Sequence, residues 1–208
     1  MTTIAVVSAG LSEPSSSRLL ADRLADAAVT ALGDPDDGVP GGATRVVHVD
    51  LRPLAHEITD AMLTRFTPPA LGAAVAEVVE ADAVVFVAPV FTAGMSGLAK
   101  SFLDVLETDA LVDMPVLLGA TGGSPRHSLT VEHGFRPVFS YLRAAVAPTA
   151  VFAATEDWGD AEGVAALDRR IRRAGADLAH MVRTSRRRVP VTEPDVVDFG
   201  SLLEGLGQ

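Results

Sequence analysis

Pro89-Val90-Phe91-Thr92-Ala93-Gly94-Met95-Ser96-Gly97-Leu98-Ala99-Lys100-Ser101-Phe102-Leu103-Asp104 is the stretch on which the fold turns. A proline and a run of small residues end an apolar segment, and an amphipathic helical pattern begins directly behind them. The segment before it, Asp82-Ala83-Val84-Val85-Phe86-Val87-Ala88, is too short to span a membrane and too apolar for an exposed edge. It reads as a central parallel strand buried on both faces. Open α/β sheets place their sites at the carboxyl ends of such strands, and the small-residue loop leaves room there for a flat ligand.

Working outward, strand-like runs recur at Ile4–Val7, Thr44–Val49, Ala83–Ala88, Pro115–Ala120 and Ala150–Ala154, separated by helical patterns. That alternation predicts a wound parallel sheet. Helices are expected over Ser15 to Leu32, Ala70 to Glu80, Gly97 to Glu107, His127 to Val146 (interrupted, ended or kinked at Pro137) and Ala161 to about Arg183. Leu51 to Pro69 reads as irregular or briefly helical. Five strands with right-handed crossovers predict, by analogy, a flavodoxin-like three-layer sandwich with a five-stranded parallel sheet of order 2-1-3-4-5. Gly33 to Gly42 is breaker-rich and reads as a surface connection. One domain over residues 1–185 is expected, followed by a tail, 186–208, that is either an arm on a partner subunit or a frayed end.

The chain has 208 residues, 48% of them hydrophobic and 21% charged, which excludes a disordered protein and allows a sizeable core. A net charge of −10 argues against nucleic acid as a partner, since such binding draws on clustered Lys and Arg. No cysteine is present, so disulfides, thiolate nucleophiles and iron–sulfur ligation are excluded and any redox chemistry must come from a bound cofactor. The amino terminus enters a strand without the pattern of a signal peptide, and no apolar run approaches the length of a membrane helix. A cytoplasmic location away from the membrane is the expectation.

Three loops follow strand ends. After the first strand comes Ser8-Ala9-Gly10-Leu11-Ser12-Glu13-Pro14-Ser15-Ser16-Ser17-Arg18, whose hydroxyls and helix-start N–H groups make a cradle for a phosphate dianion. The alternative is that Ser15 or Ser16 simply caps the helix. The spacing matches neither Gly-x-Gly-x-x-Gly nor the Walker lysine loop, which favours a mononucleotide phosphate. After the fourth strand comes Ala120-Thr121-Gly122-Gly123-Ser124-Pro125-Arg126-His127, either a tight turn or a place where backbone approaches a ligand. In a wound sheet these loops and Pro89 to Gly94 line one crevice. His127 and His133 are six apart, which does not place two ligands on one helical face, and a metal site is set aside. Asp104, Glu107 and Asp109 read as a solvated helix end, and Arg169, Arg170, Arg172 and Arg173 as the polar face of the last helix.

With these loops in view, the chain resembles the NAD(P)H-dependent FMN reductase family, in particular the reductases paired with two-component luciferase-like or alkanesulfonate monooxygenases. Pro89 to Asp104 is similar to the family's Pro-x-Tyr-x-x-x-x-Ser-Gly-x-x-Lys-x-x-Leu-Asp motif. Ala120 to Ala144 is similar to the longer signature of the monooxygenase-partnered branch. The resemblance implies that Ser8, Gly10, Ser15, Ser16 and Ser17 meet the FMN phosphate. It implies that Pro89, Val90, Phe91, Thr92, Ala93 and Gly94 line the isoalloxazine and ribityl, and that Thr121, Gly122 and Gly123 contact the pyrimidine edge. It further implies that His133 lies in a helix bulge near the flavin and a subunit interface, in a homodimer or homotetramer. Two departures stand out: the usual Gly-Ser-x-Arg after the first strand is Ser8-Ala9-Gly10-Leu11, which leaves the choice of NADPH or NADH open, and Phe91 replaces the common tyrosine.

The reaction implied is hydride transfer from NADPH or NADH to N5 of FMN, with no obligatory acid–base residue and with reduced flavin supplied to a flavin-dependent monooxygenase. Two rivals remain: a quinone or azo reductase that retains its FMN, and a flavodoxin-like electron carrier without turnover of its own. Low aromatic content weighs against the carrier, since Trp158 and Tyr141 lie outside the loops expected to hold the ring.

Overall fold

A computed structural model describes residues 1–33, 43–185 and 187. The breaker-rich connection after Gly33, and the predicted tail apart from Arg187, lie outside the described residues. Strands are β1 (Thr2–Ser8), β2 (Thr44–Asp50), β3 (Ala83–Phe91), β4 (Gly94–Met95), β5 (Pro115–Gly122), β6 (Ala145–Val146) and β7 (Val151–Ala154). Helices are α1 (Ser16–Leu32), α2 (Ala55–Thr64), α3 (Pro69–Val79), α4 (Gly97–Asp104), α5 (Arg136–Tyr141) and α6 (Ala161–Thr184).

The first eight residues of β3 are buried, as a run with no polar side chain requires. β3 pairs with β1 on one side and β5 on the other, both parallel, and β2 pairs parallel with β1. Alternate residues of β3 serve opposite layers. Val84, Phe86 and Ala88 pack with Ile58 of α2, Leu71 of α3, Phe102 of α4 and Phe139 of α5, where the Phe86 and Phe139 rings meet edge to face at 5.0 Å. Ala83, Val85 and Val87 pack with Leu20 and Leu24 of α1 and Leu167, Ala174 and Leu178 of α6. The result is the expected flavodoxin-like three-layer α/β architecture.

The sheet itself departs from the expected five parallel strands. Among the described residues it has seven, in the path β2-β1-β3-β5-β6, with β7 also on β5 and β4 antiparallel on β3. The five strands read from the sequence keep their relative order; the additions are short. β6 pairs with Pro115 and Val116 at the start of β5, and β7 with Gly119 to Gly122 at its end, so two fragments share one edge position. Pro148, which has no N–H to donate, lies in the gap between them.

Residues 127–146 are not one helix. A 3₁₀ turn (Pro125–His127), a π-helical turn (Val131–Phe135), α5 and β6 divide the segment. Pro137 sits in the first turn of α5, where its missing N–H costs nothing, so it starts that helix rather than kinking a longer one. The stretch after β2 contains a full helix, α2, that buries only Ile58 and Ala61 and so left a faint periodic signal. α4 stops at Asp104, three residues before the expected Glu107. No helix among the described residues is long and apolar enough to cross a membrane.

α1 and α6 lie close enough that side chains become the limit. A Cβ on Gly175 would meet the Ala27 carbonyl carbon at 2.6 Å and the Ala28 nitrogen at 2.8 Å, both backbone atoms that cannot yield cheaply. Arg183, the penultimate residue of α6, donates to the Ala31 carbonyl at 2.6 Å and so satisfies an end carbonyl of α1. Gly175→Val is expected to force the helices apart and cost roughly 2 kcal/mol or more, as overpacking in a closed contact does. Urea denaturation checks this; a midpoint equal to wild type would mean that the crossing is looser than drawn.

Candidate functional site

β1, β3 and β5 end side by side: Ser8 is in register with Val87, and Pro89 with Thr121. The loops leaving these carboxyl ends enclose a cleft of about 510 Å³. Gly10, Leu11, Ser12, Ser15, Ser16 and Ser17 form one end. Pro89, Val90 and Phe91 form a wall, and Thr121, Gly122 and Gly123, with Thr155 after β7, close the other side. A groove of similar volume between α4 and α5 is set on a helix face instead, and its Lys100 is already paired with Asp104.

At the serine end the hydroxyl of Ser15 caps α1 by accepting the Arg18 N–H at 3.2 Å, so the plain capping role is real. Gly10 is required here: a Cβ on it would fall 1.9 Å from Ser15 Oγ. The amides of Ser16 and Ser17 open the helix and have no carbonyl a turn earlier to bind. Ser17 Oγ lies 2.7 Å from Thr121 Oγ1, both buried, which fastens the start of α1 to the end of β5. Orphan amides at a helix start, next to hydroxyls, fit an anion of phosphate size. Gly122 packs on Phe152, where a Cβ would meet the ring at 2.9 Å, while Gly123 faces open space. Bare backbone beside the flat Pro89–Phe91 wall fits a planar heterocycle with polar edges.

The structure separates some predicted residues from the cleft wall. Ser8 is buried and donates to Asp50 Oδ1 at 2.6 Å, and Asp50 also binds Arg18, which reaches Asp22 as well. The hydroxyl of Ser8 is committed to the end of β2, and Arg18, the cation nearest the helix start, is neutralised. Thr92, Ala93 and Gly94 also lie outside the wall. Phe91 pairs with Gly94, leaving Thr92 and Ala93 as a two-residue turn at φ 49° and 61°. Positive φ at both positions is the signature of a type I′ hairpin turn, which matches strand twist but strains residues with a Cβ. The turn sets Phe91, about half exposed at 49%, on the rim. Leu11, Ser12 and Thr155 were missed; Thr155 was accessible to the strand-end rule, since it directly follows the last strand.

His133 is exposed in the middle of the π-helical turn, off the cleft wall, while Val131 and Phe135 anchor that turn in the core. β4 packs against the same turn. Arg136 binds the Glu132 carboxylate and donates to the carbonyl of Ala147 at 3.0 Å, tying the turn to the gap between β6 and β7. The hydrogen bond from Arg136 holds the Glu132 carboxyl below its usual range; partial burial opposes this, and the charges of Arg136 and His133 assist it.

Residues 2–159 match the pattern of a family described as NADPH-dependent FMN reductase. A relative named NADH-dependent FMN reductase SfnF, from Pseudomonas fluorescens, is 36% identical over 54% of this chain and 60% of its own length. One named NADH-dependent FMN reductase SfnE, from Pseudomonas putida, is 39% identical over 61% of this chain and 68% of its own. The chain thus spans about three fifths to two thirds of the length of these curated relatives. An oxidoreductase from Corynebacterium diphtheriae superposes with a TM-score of 0.81 at 43% identity, over 88% of this chain and 97% of that one.

A depressed carboxylate stabilises the fold above its unfolded pKa and loses that contribution as pH falls through the folded value. Glu132→Gln is therefore expected to be less stable than wild type at neutral pH, by up to about 1 kcal/mol for a pair this exposed. The difference should close as pH drops below 4.5, the ordinary Glu value. Urea midpoints at neutral and acid pH check this, and a gap independent of pH would refute the assignment.

Proposed function

The chain belongs to the NADPH-dependent FMN reductase family, and from that premise we propose that it reduces FMN with NADH or NADPH and supplies the reduced flavin to a flavin-dependent monooxygenase. The observation that carries this reading is the single cleft in which a serine-rich helix start, a flat apolar wall and bare glycine backbone face one another. A flavin mononucleotide has the matching parts in the matching order: phosphate, ring and polar pyrimidine edge.

In this reading the amides of Ser16 and Ser17, with the hydroxyls of Ser12, Ser15 and Ser16, hold the phosphate. Gly10 keeps the loop closed on the Ser15 cap. Pro89, Val90 and Phe91 support the ring, and Gly122 and Gly123 bring backbone donors to its pyrimidine edge. Ser8 and the Thr92-Ala93-Gly94 turn act at one remove, by holding the ends of β1 and β3. FMN bound there would supply the redox chemistry, a two-electron reduction by NAD(P)H that gives NAD(P)⁺ and reduced FMN. The chain's contribution is placement: rings stacked at contact, donors aimed at the flavin edge, water kept off the wall.

No Lys or Arg lines the cleft among the described residues, so the phosphate is held by neutral donors and the helix dipole. That supports flavin as a substrate that leaves after reduction over a quinone or azo reductase that keeps it. Trp158 stacks with Arg23 at 5.5 Å and Tyr141 lies on the α4–α5 groove, so neither flanks the ring as an electron carrier would want. The π-helical turn carrying His133 and the similarity of residues 120–144 to the partnered branch support a monooxygenase as recipient. Exposed Met62, Leu63, Phe66 and Tyr141 support a homodimer or homotetramer.

Mixing the protein with FMN and either nicotinamide nucleotide under anaerobic conditions is expected to bleach the oxidised flavin; an unchanged spectrum with both would overturn the reading. Ser15→Ala with Ser16→Ala is expected to weaken FMN binding at least tenfold, since each charge-assisted bond is worth on the order of 1.5–3 kcal/mol. Riboflavin, which lacks the phosphate, should lose far less. Equal losses for both flavins would place the phosphate elsewhere.

A further inference from the structure

The cleft lacks a counter-charge that its proposed second substrate requires. Its wall presents hydroxyls, amides and apolar surface, and the chain carries a net charge of −10. A nicotinamide dinucleotide brings a pyrophosphate, and in NADPH a further phosphate on the ribose. The free helix start in the cleft is already assigned to the flavin phosphate. Some other group must offset the repulsion between this polyanion and an acidic protein.

Most cations near the carboxyl end of the sheet are spent. Arg18 is bound to Asp22 and Asp50, Arg52 to Glu13, Lys100 to Asp104 and Arg136 to Glu132. Arg126 differs. It is exposed, three residues beyond Gly123 of the cleft wall, and its guanidinium has no hydrogen-bond or ion-pair partner among the described residues. The backbone beneath it is nonetheless fixed. Ser124 Oγ accepts the Arg126 N–H at 3.3 Å, the His127 N–H reaches the Ser124 carbonyl at 3.4 Å, and the 3₁₀ turn packs against β7. An exposed, planar five-donor fork thus stands on a held turn that directly follows the glycines of the cleft wall.

We propose that Arg126 is a specificity and positioning residue that receives a phosphate group of the incoming nicotinamide dinucleotide. The proposal rests on the FMN reductase reading and extends it to the second substrate. Arg126 supplies the cation that the loop after β1, lacking an arginine within Ser8-Ala9-Gly10-Leu11, does not. Because the fork lies outside the flavin's own wall, it acts on the dinucleotide and leaves FMN affinity alone.

Arg126→Ala is expected to raise KM for NADH or NADPH by roughly five- to tenfold, as loss of a charge-assisted contact at a solvated rim does, with Arg126→Lys recovering part of it. Calorimetric binding of NAD⁺ and NADP⁺ to the FMN-loaded protein should weaken by the same factor, while the FMN dissociation constant stays at the wild-type value. Added salt should raise the wild-type KM and move that of Arg126→Ala much less. A loss greater for NADP⁺ locates the contact at the 2′-phosphate, and equal losses locate it at the pyrophosphate. Unchanged KM and unchanged binding of both nucleotides would overturn the proposal, as would weakened FMN binding in the variant. Wild type that leaves FMN oxidised with both nucleotides overturns the reductase reading instead; nucleotide binding by wild type and Arg126→Ala then still decides the role of Arg126.

Discussion

The structure depends on β3 being apolar on both faces. A strand whose first eight residues are buried cannot sit at an edge or present one side to water, so it takes parallel neighbours on both sides and helices above and below. With both faces covered, the places left for ligands are the strand ends. The close crossing of α1 and α6 and the tight approach of Gly119 to Leu24 follow from the same demand, since a covered strand of small and β-branched residues needs helices that come near. The cleft is the residue of that packing: three loops that the layers could not absorb.

Within the cleft the labour is divided by bond type. The Ser17–Thr121 pair spans two elements and sets the distance between the serine end and the glycine end. Ser8 performs a parallel task one strand away through Asp50. Such hydroxyls act by holding others in place, while the orphan amides of Ser16 and Ser17 and the bare backbone of Gly123 remain available. The strained Thr92-Ala93 turn adds a third kind of contribution: it spends backbone energy to keep Phe91 on the rim.

Much of this was legible in the sequence. The strands, the long helices α1 and α6, and the convergence of the loops after β1, β3 and β5 follow from periodicity and the strand-end rule, because burial on both faces leaves an unbroken apolar run. What was illegible is local and contingent. The 127–146 segment reads as a helix interrupted, ended or kinked at Pro137 because 3₁₀, π and α turns draw on the same residues and differ only in hydrogen-bond step. The split edge escapes a pattern search because β6 is two residues long. The commitment of Ser8 to Asp50 depends on a partner 42 positions away, and periodicity carries no information on that pairing. The bond from Arg18 to Asp50, 32 positions away, was hidden for the same reason, whereas its i,i+4 partner Asp22 lay within reach of the helical spacing rule.

The split edge bears on how the protein behaves beside its own copies at high concentration. An open sheet has two flanks, each a row of unpaired backbone groups that invites a foreign strand. On one flank the row is broken into β6 and β7 with Pro148 between them, so an incoming strand finds no continuous template. On the other, β2 is seven residues long, but it carries Arg45, paired with Glu77, and the partly exposed His48 and Asp50. One flank resists strand addition by geometry and the other by charge, so added salt, which screens charge and leaves geometry alone, leaves the two flanks unequally guarded against fibril-like association.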